Sequence, residues 1–239
     1  METQQVQPVA ADADEKIAAL YDFPEEINNI GDHYDKFAER YDELIAITQF
    51  KEHINIPKFV SELDEAKHLI NNKEAVIMDY GAGTGRSGAG LKQFGFNVTY
   101  ATDGSQKMLD KAPEGMYDVK LKHITGVDTL PDDWMNKFDL ITSAGSFGPT
   151  HIPPVGIEEC VNMLKKGGIF AFDLRLKYYV TDEFRYGAYK NTVDKLENAG
   201  TIKVLKTHNV QKGYNKGGEV EGEQLKVQEG VVVIMQKLV

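Results

Sequence analysis

What the sequence has little of narrows its class first. A single cysteine, Cys160, excludes an internal disulfide and points to a reducing compartment. No run approaches the roughly eighteen apolar residues of a membrane span, and the N-terminus has no apolar leader. A cytoplasmic chain with no membrane partner is expected. Positive charge is scarce: 27 Lys plus Arg stand against 37 Asp plus Glu, a formal net charge of -10. Phosphate backbones are held by clustered positive charge, so nucleic acid is not an expected partner. Tandem repeats and metal-ligand spacings are missing too, so no metal is expected.

What is present is organised around Ala75 to Arg86. The apolar run up to Met78 reads as a buried parallel strand, and it ends in an acid, Asp79. Gly81, Gly83 and Gly85 follow at every second position, then a helix start. Such glycines allow a tight turn and bare backbone against a ligand, and the helix N-terminus adds free N–H groups. The stretch satisfies two patterns. Gly83-x-Gly85-x-x-Gly88 fits the dinucleotide fingerprint of a nicotinamide-dependent oxidoreductase, and Gly81-x-Gly83-x-Gly85 fits an S-adenosylmethionine loop. Asp79 favours the second, because a carboxylate repels pyrophosphate but receives a cationic amino group. A non-catalytic cofactor-binding module remains the other alternative. Asp103, at the end of the next strand (97–102), is placed to accept from ribose hydroxyls.

Taken in order, residues 1–14 are polar and acidic and read as a disordered tail, and 15–72 as a helical lid on a domain spanning 73–239. Tyr34, Phe37, Ala38 and Tyr41 recur at helical spacing, which fits either a packed helix or a lid over the cofactor. A second helix is predicted over 57–69 with Pro57 in its first turn. Ser105 caps a helix over 106–112, and a weak third strand is expected over 121–125. Asp128, in the following loop, could accept from the exocyclic amine of a base. A fourth strand over 137–144 leads into an irregular loop, 145–154, which should border the substrate and holds His151, a candidate base. A helix over 157–164, a strand over 169–174, a helix over 189–199 and two strands around 202–208 and 230–238 complete the chain. The glycine-rich stretch 211–222 reads as the loop between the last two.

This order resembles the Rossmann-like α/β plan of class I S-adenosylmethionine-dependent methyltransferases. That plan implies a seven-stranded, mostly parallel sheet with helices on both faces and an antiparallel terminal strand. The phrases Tyr34-Asp35-x-x-Ala38-x-x-Tyr41-Asp42, Met78-Asp79-Tyr80-Gly81-Ala82-Gly83-Thr84-Gly85, Asp103-Gly104-Ser105-x-x-Met108-Leu109 and Leu164-Lys165-Lys166-Gly167-Gly168 carry the resemblance. With 188–200 they are similar to the Williams–Beuren syndrome critical-region methyltransferase-like proteins. The resemblance implies methyl transfer from S-adenosyl-L-methionine to a small-molecule acceptor. Asp79, Gly81, Ala82, Gly83 and Thr84 would then line the methionine end, under Tyr34 and Tyr41. Asp103 would hold the ribose, with Gly104 and Met108 against the adenosine and Val127 and Asp128 near the base. Ser143 and Ala144 would touch the cofactor's centre. Tyr80 departs from the smaller residue common at its position.

Overall fold

The computed structural model describes residues 19–20, 22–47, 51–213 and 227–239. The expected tail, and most of the 211–222 loop, lie outside them. Three helices lead in: α1 (Ile30–Asp35), α2 (Tyr41–Ile47) and α3 (Glu52–Ser61). Strands and helices then alternate: β1 (Ile77–Tyr80), α4 (Arg86–Gln93), β2 (Val98–Asp103), α5 (Gln106–Lys111) and β3 (Val119–Lys122). The chain continues through β4 (Phe138–Ser143), α6 (Val155–Met163), β5 (Leu164–Arg175), α7 (Leu176–Val180) and α8 (Tyr189–Asn198) to β6 (Ile202–Gly213) and β7 (Val227–Lys237).

The strands form one sheet in the order β3-β2-β1-β4-β5-β7-β6. β1 to β5 run parallel, whereas β7 lies antiparallel between β5 and β6. This is the seven-stranded plan that the sequence resemblance implies. Alternation sorts the side chains of the central strands onto two apolar layers. Ile141, Phe170, Phe172, Val231 and Val233 enter one layer; Leu140, Ile169, Ala171, Val232 and Ile234 enter the other. Both faces are therefore covered, as the continuous apolar runs required.

Several local expectations are corrected. Pro57 sits in the middle of α3 instead of its first turn. Without an N–H it cannot bond the His53 carbonyl, which instead meets bare Gly90 of α4; a Cβ there would lie 1.8 Å from that oxygen. Tyr34 and Tyr41 do not share one helix, because α1 ends at Asp35 and a turn separates it from α2. The third strand lies earlier than 121–125, as an exposed edge at 119–122 whose mostly exposed pattern gives no apolar signal. β5 starts at Leu164, directly after α6, so that the Lys165–Gly168 segment is strand.

Candidate functional site

The glycine loop sits at the carboxyl end of β1. Gly81, Gly83 and Gly85 have φ values of 75°, 54° and 89°, which favour residues without a Cβ. The Gly81 and Ala82 amides donate to the Thr102 carbonyl at 2.9 and 2.8 Å, and the Gly83 amide donates to Asp103 Oδ2 at 2.8 Å. Asp103 Oδ1 accepts from the Ser105 amide at 2.8 Å, so one carboxylate ties the loop to the start of α5. Burial pushes the Asp103 carboxyl up to about 6, although both amides pull it down. Asp79 is fully buried, and Tyr117 donates to its Oδ2 at 2.6 Å. Burial pushes its carboxyl up to about 7; the Tyr117 hydrogen bond opposes this and the Asp103 charge adds to it.

A cavity partly open to solvent lies over this loop. Gly81, Ala82, Gly83, Thr84, Asp103, Gly104 and Met108 form its floor. Tyr34 and Tyr41 from the N-terminal helices and Ala144 and His151 from the segment after β4 also line it. Four anticipated residues are not in its lining. Asp79 turns beneath the loop toward Tyr117. Asp128 folds back to accept from the Ile124 amide at 2.7 Å, beside Val127, which is 48% exposed. Ser143 is buried within β4.

Each Tyr-Asp pair works as a unit. The tyrosine faces the cavity and the aspartate ties the N-terminal helices to the loops beneath them. Asp35 accepts from the Ser105 hydroxyl and, at 3.3 Å, from the Lys107 amide at the start of α5. Thr84 of the glycine loop donates to Asp42 at 2.7 Å. Gly31 packs so closely that a Cβ would lie 2.2 Å from the Gly104 carbonyl oxygen. Across the cavity the Tyr34 hydroxyl meets His151 Nε2 at 2.6 Å, and Thr150 Oγ1 lies 3.1 Å from Nδ1. Phe23 stands edge-on to the His151 ring at 4.3 Å. Burial, then the charges of His33 and Arg175, hold the His151 imidazolium down to about 3.

Sequence reasoning missed other groups at the rim. Arg86, the first residue of α4, and His53 line the cavity. Ser146 donates to the Gly81 carbonyl at 2.9 Å, which joins the β4 loop to the glycine loop. Tyr80, flagged only as bulky, belongs to a buried polar network. Its hydroxyl donates to Glu159 Oε2 at 2.7 Å and lies 2.7 Å from Thr125 Oγ1. His123 Nε2 lies 2.9 Å from the same carboxylate oxygen, and the Gly126 amide donates to Glu159 Oε1 at 2.9 Å. The sequence signal for this network was the hydroxyl of Tyr80, which needs a partner once buried. Among the described residues no group of acids, histidines and cysteines could hold a metal, and no helix is long and apolar enough to cross a membrane.

Residues 78–172 match the family described as "Methyltransferase domain". Methyltransferase-like protein 27 of Homo sapiens is 28% identical over 170 residues, which cover 70% of this chain. The match spans 65% of that relative's length. Among solved structures, magnesium protoporphyrin IX methyltransferase from Synechocystis with bound SAH superposes with a TM-score of 0.58 at 13% identity, covering 89% of this chain and 100% of that one. A putative RNA methyltransferase from Pyrococcus horikoshii gives 0.55 at 13% identity, covering 84% and 98%.

Proposed function

We propose that this chain, which has the fold of class I methyltransferases and matches a methyltransferase domain over residues 78–172, transfers the methyl group of S-adenosyl-L-methionine to a small-molecule acceptor. The observation that carries the reading is the cavity built on Gly81 to Thr84, with Asp103 at the end of the neighbouring strand. Nothing in this arrangement calls for a protein nucleophile. When bound, the cofactor supplies an activated methyl group on a sulfonium centre.

The residues fit such a ligand part by part. Asp103 and the amides beside it suit the ribose hydroxyls, and Gly104 and Met108 suit the nucleoside. Arg86 supplies positive charge at the start of α4, where a carboxylate would also meet the helix dipole. Tyr34 and Tyr41, whose rings lie 5.9 Å apart, cover the methionine end and exclude water. The buried Asp79 acts from below, as negative charge facing a cationic ligand through the loop. Ala144 borders the centre, whereas Val127, Asp128 and Ser143 do not line the cavity.

His151 faces the acceptor side with its ring oriented by Tyr34 and Thr150. Held at about 3, it is uncharged at neutral pH and a weak base. It therefore suits an acceptor whose proton becomes strongly acidic only as the methyl bond forms. Positioning and desolvation supply most of the rate in that case. The lid over the cavity supports a small acceptor more than a folded macromolecule, and the net charge of -10 agrees. The scarcity of positive charge, 27 Lys plus Arg against 37 Asp plus Glu, supports a reading without a nucleic-acid partner, and the single cysteine supports a reducing, cytoplasmic location.

Calorimetry with S-adenosylmethionine, its demethylated product and NAD tests the cofactor. Binding of the first two without NAD is the expected result, and NAD binding alone would refute it. Radiolabelled methyl transfer into small-molecule and RNA fractions of a cell extract tests the acceptor. Label in RNA would refute the small-molecule reading, and tight binding without any transfer would refute catalysis.

A further inference from the structure

The N-terminal segment is held over the cavity in two different ways. On the cofactor side the ties are several and close. Asp42 accepts from the Thr84 hydroxyl at 2.7 Å, Asp35 accepts from Ser105 and Lys107, and Gly31 leaves no room for a Cβ against the Gly104 carbonyl. On the acceptor side, residues 22–29 run between two buried anchors, Leu20 and Ile30. The Leu20 carbonyl lies 2.9 Å from His33 Nε2. Between the anchors Asp22, Glu25, Glu26, Asn28 and Asn29 are exposed, whereas Phe23 and Ile27 are half-buried. Phe23 stands on the His151 ring, and Ile27 lines the cavity.

Arg185 meets this segment from the other side of the fold. It donates to the Glu25 carbonyl and pairs with the Glu26 carboxylate at 3.6 Å. A well-tied turn presents the guanidinium. Asp182 accepts from the Ala188 amide at 2.9 Å and from the Asn191 side chain at 2.7 Å. The Gly187 amide donates to the Phe184 carbonyl at 2.8 Å, and its φ of 69° favours glycine. The ion pair itself is open to solvent, with side chains 48% and 65% exposed. Such pairs are screened by salt and shift an equilibrium by at most about fivefold. The hydroxyls that hold the cofactor side, on Thr84 and Ser105, are buried instead.

We infer that residues 22–29 form a flap of their own, clasped by Arg185, through which the methyl acceptor reaches His151 while the cofactor side stays closed. The inference rests on the acceptor-side reading of His151 above, and it makes Arg185 a positioning residue that acts through Phe23. Lifting the flap withdraws Phe23 from the His151 ring and Ile27 from the cavity wall together, because the two are joined through a short stretch of chain. The Asp35 and Asp42 bonds are left as they are, so the methylated product can leave before the demethylated cofactor. Segments held by few, solvent-exposed contacts are the ones that open at low cost.

Diethyl pyrocarbonate, which acylates uncharged imidazole, reads the flap without any substrate. Peptide mass spectrometry follows its rate at His151 under the flap, at His53 elsewhere on the cavity wall and at the exposed His68. In Arg185→Ala the His151 rate should rise at least about threefold relative to His68, with His53 unchanged. Sodium chloride at about 1 M should do the same to the unmodified protein and add little to the variant. Arg185→Lys keeps the charge and should restore part of the shielding, and Phe23→Ala should expose His151 directly. A raised rate in Phe23→Ala beside an unchanged one in Arg185→Ala overturns the clasp, and no change in either overturns the flap. A parallel rise at His53 means that the whole N-terminal segment lifts, which also overturns it. These rates are independent of the cofactor reading, which fails separately if calorimetry shows no binding of S-adenosylhomocysteine to the unmodified protein.

Discussion

Asp79→Asn should make the ligand-free protein more stable at pH 8 and leave it nearly unchanged at pH 4. The carboxyl is fully buried and pushed up to about 7, from 3.8 in an unfolded chain. Between those values the folded state holds a proton that the unfolded state has released. Stability from this group is therefore complete below about pH 4 and is lost as pH rises through about 7. The interval corresponds to about 4 kcal/mol, to be read as an upper figure for a site that can relax. Asparagine keeps an acceptor for the Tyr117 hydroxyl and carries no charge to bury. A gain of about 2–4 kcal/mol at pH 8 is expected, or roughly 10 °C in melting temperature for a chain of this size. Asp103 and His151 titrate in both proteins and cancel to first order in the difference. Urea denaturation of ligand-free samples at both pH values measures it. A variant that is less stable at pH 8, or equally shifted at both, would refute a buried, proton-holding Asp79. The same variant should bind S-adenosylmethionine more weakly, because a cationic ligand is what makes the buried charge favourable.

Three other outcomes follow from the geometry. Asp103→Ala should weaken cofactor binding by roughly 1–3 kcal/mol and also lower the melting temperature, because the Gly83 and Ser105 amides both lose their acceptor; unchanged calorimetric affinity would remove Asp103 from the site. Gly31→Ala should push α1 off the loop after β2 and weaken cofactor binding at least about tenfold, since the new Cβ would lie 2.2 Å from the Gly104 oxygen; circular dichroism should show the sheet intact. His151→Ala should leave cofactor affinity within about twofold and slow turnover by no more than roughly 100-fold, the low end for a proton-transfer group, because its ring is so weakly basic. A turnover rate that rose through an apparent pKa near 6.5 would contradict the lowered basicity.

The framework of the site was legible because it is local. An apolar run, an acid and alternating glycines specify β1 and its loop without reference to the rest of the chain. The cavity's closure is not local. Tyr34 and Tyr41 are spaced for one helix, yet α1 ends at Asp35, whose carboxylate bonds to Ser105 and Lys107, some seventy residues further on. Periodicity registers the spacing and not that distant attraction. The loop after β3 shows the same limit. Asp128 has suitable chemistry and a suitable place in the chain, but its carboxylate is consumed four residues away by the Ile124 amide. His123 meets a carboxylate only because α6 brings Glu159 alongside it. Side chains that act through partners distant in sequence leave little trace in the sequence itself.

The order in which the sheet can be assembled follows from the place of β7. During synthesis β5 emerges before β6, but β6 does not pair with it; the strand that does, Val227–Lys237, is made after both. Until then β5 keeps an open edge whose interior residues are nearly all apolar. Val231 to Met235, each no more than 2% exposed, contribute to both apolar layers at once. β6 and β7 can meet first as an antiparallel pair, through short-range contacts, and then dock together on β5. That docking is the late, rate-governing event expected of a topology closed by distant contacts. A nascent chain waiting for it exposes an unpaired strand edge, a known route to intermolecular pairing. Changes that weaken the β6–β7 pair should therefore reduce the yield of folded protein more than the melting temperature of the molecules that do fold.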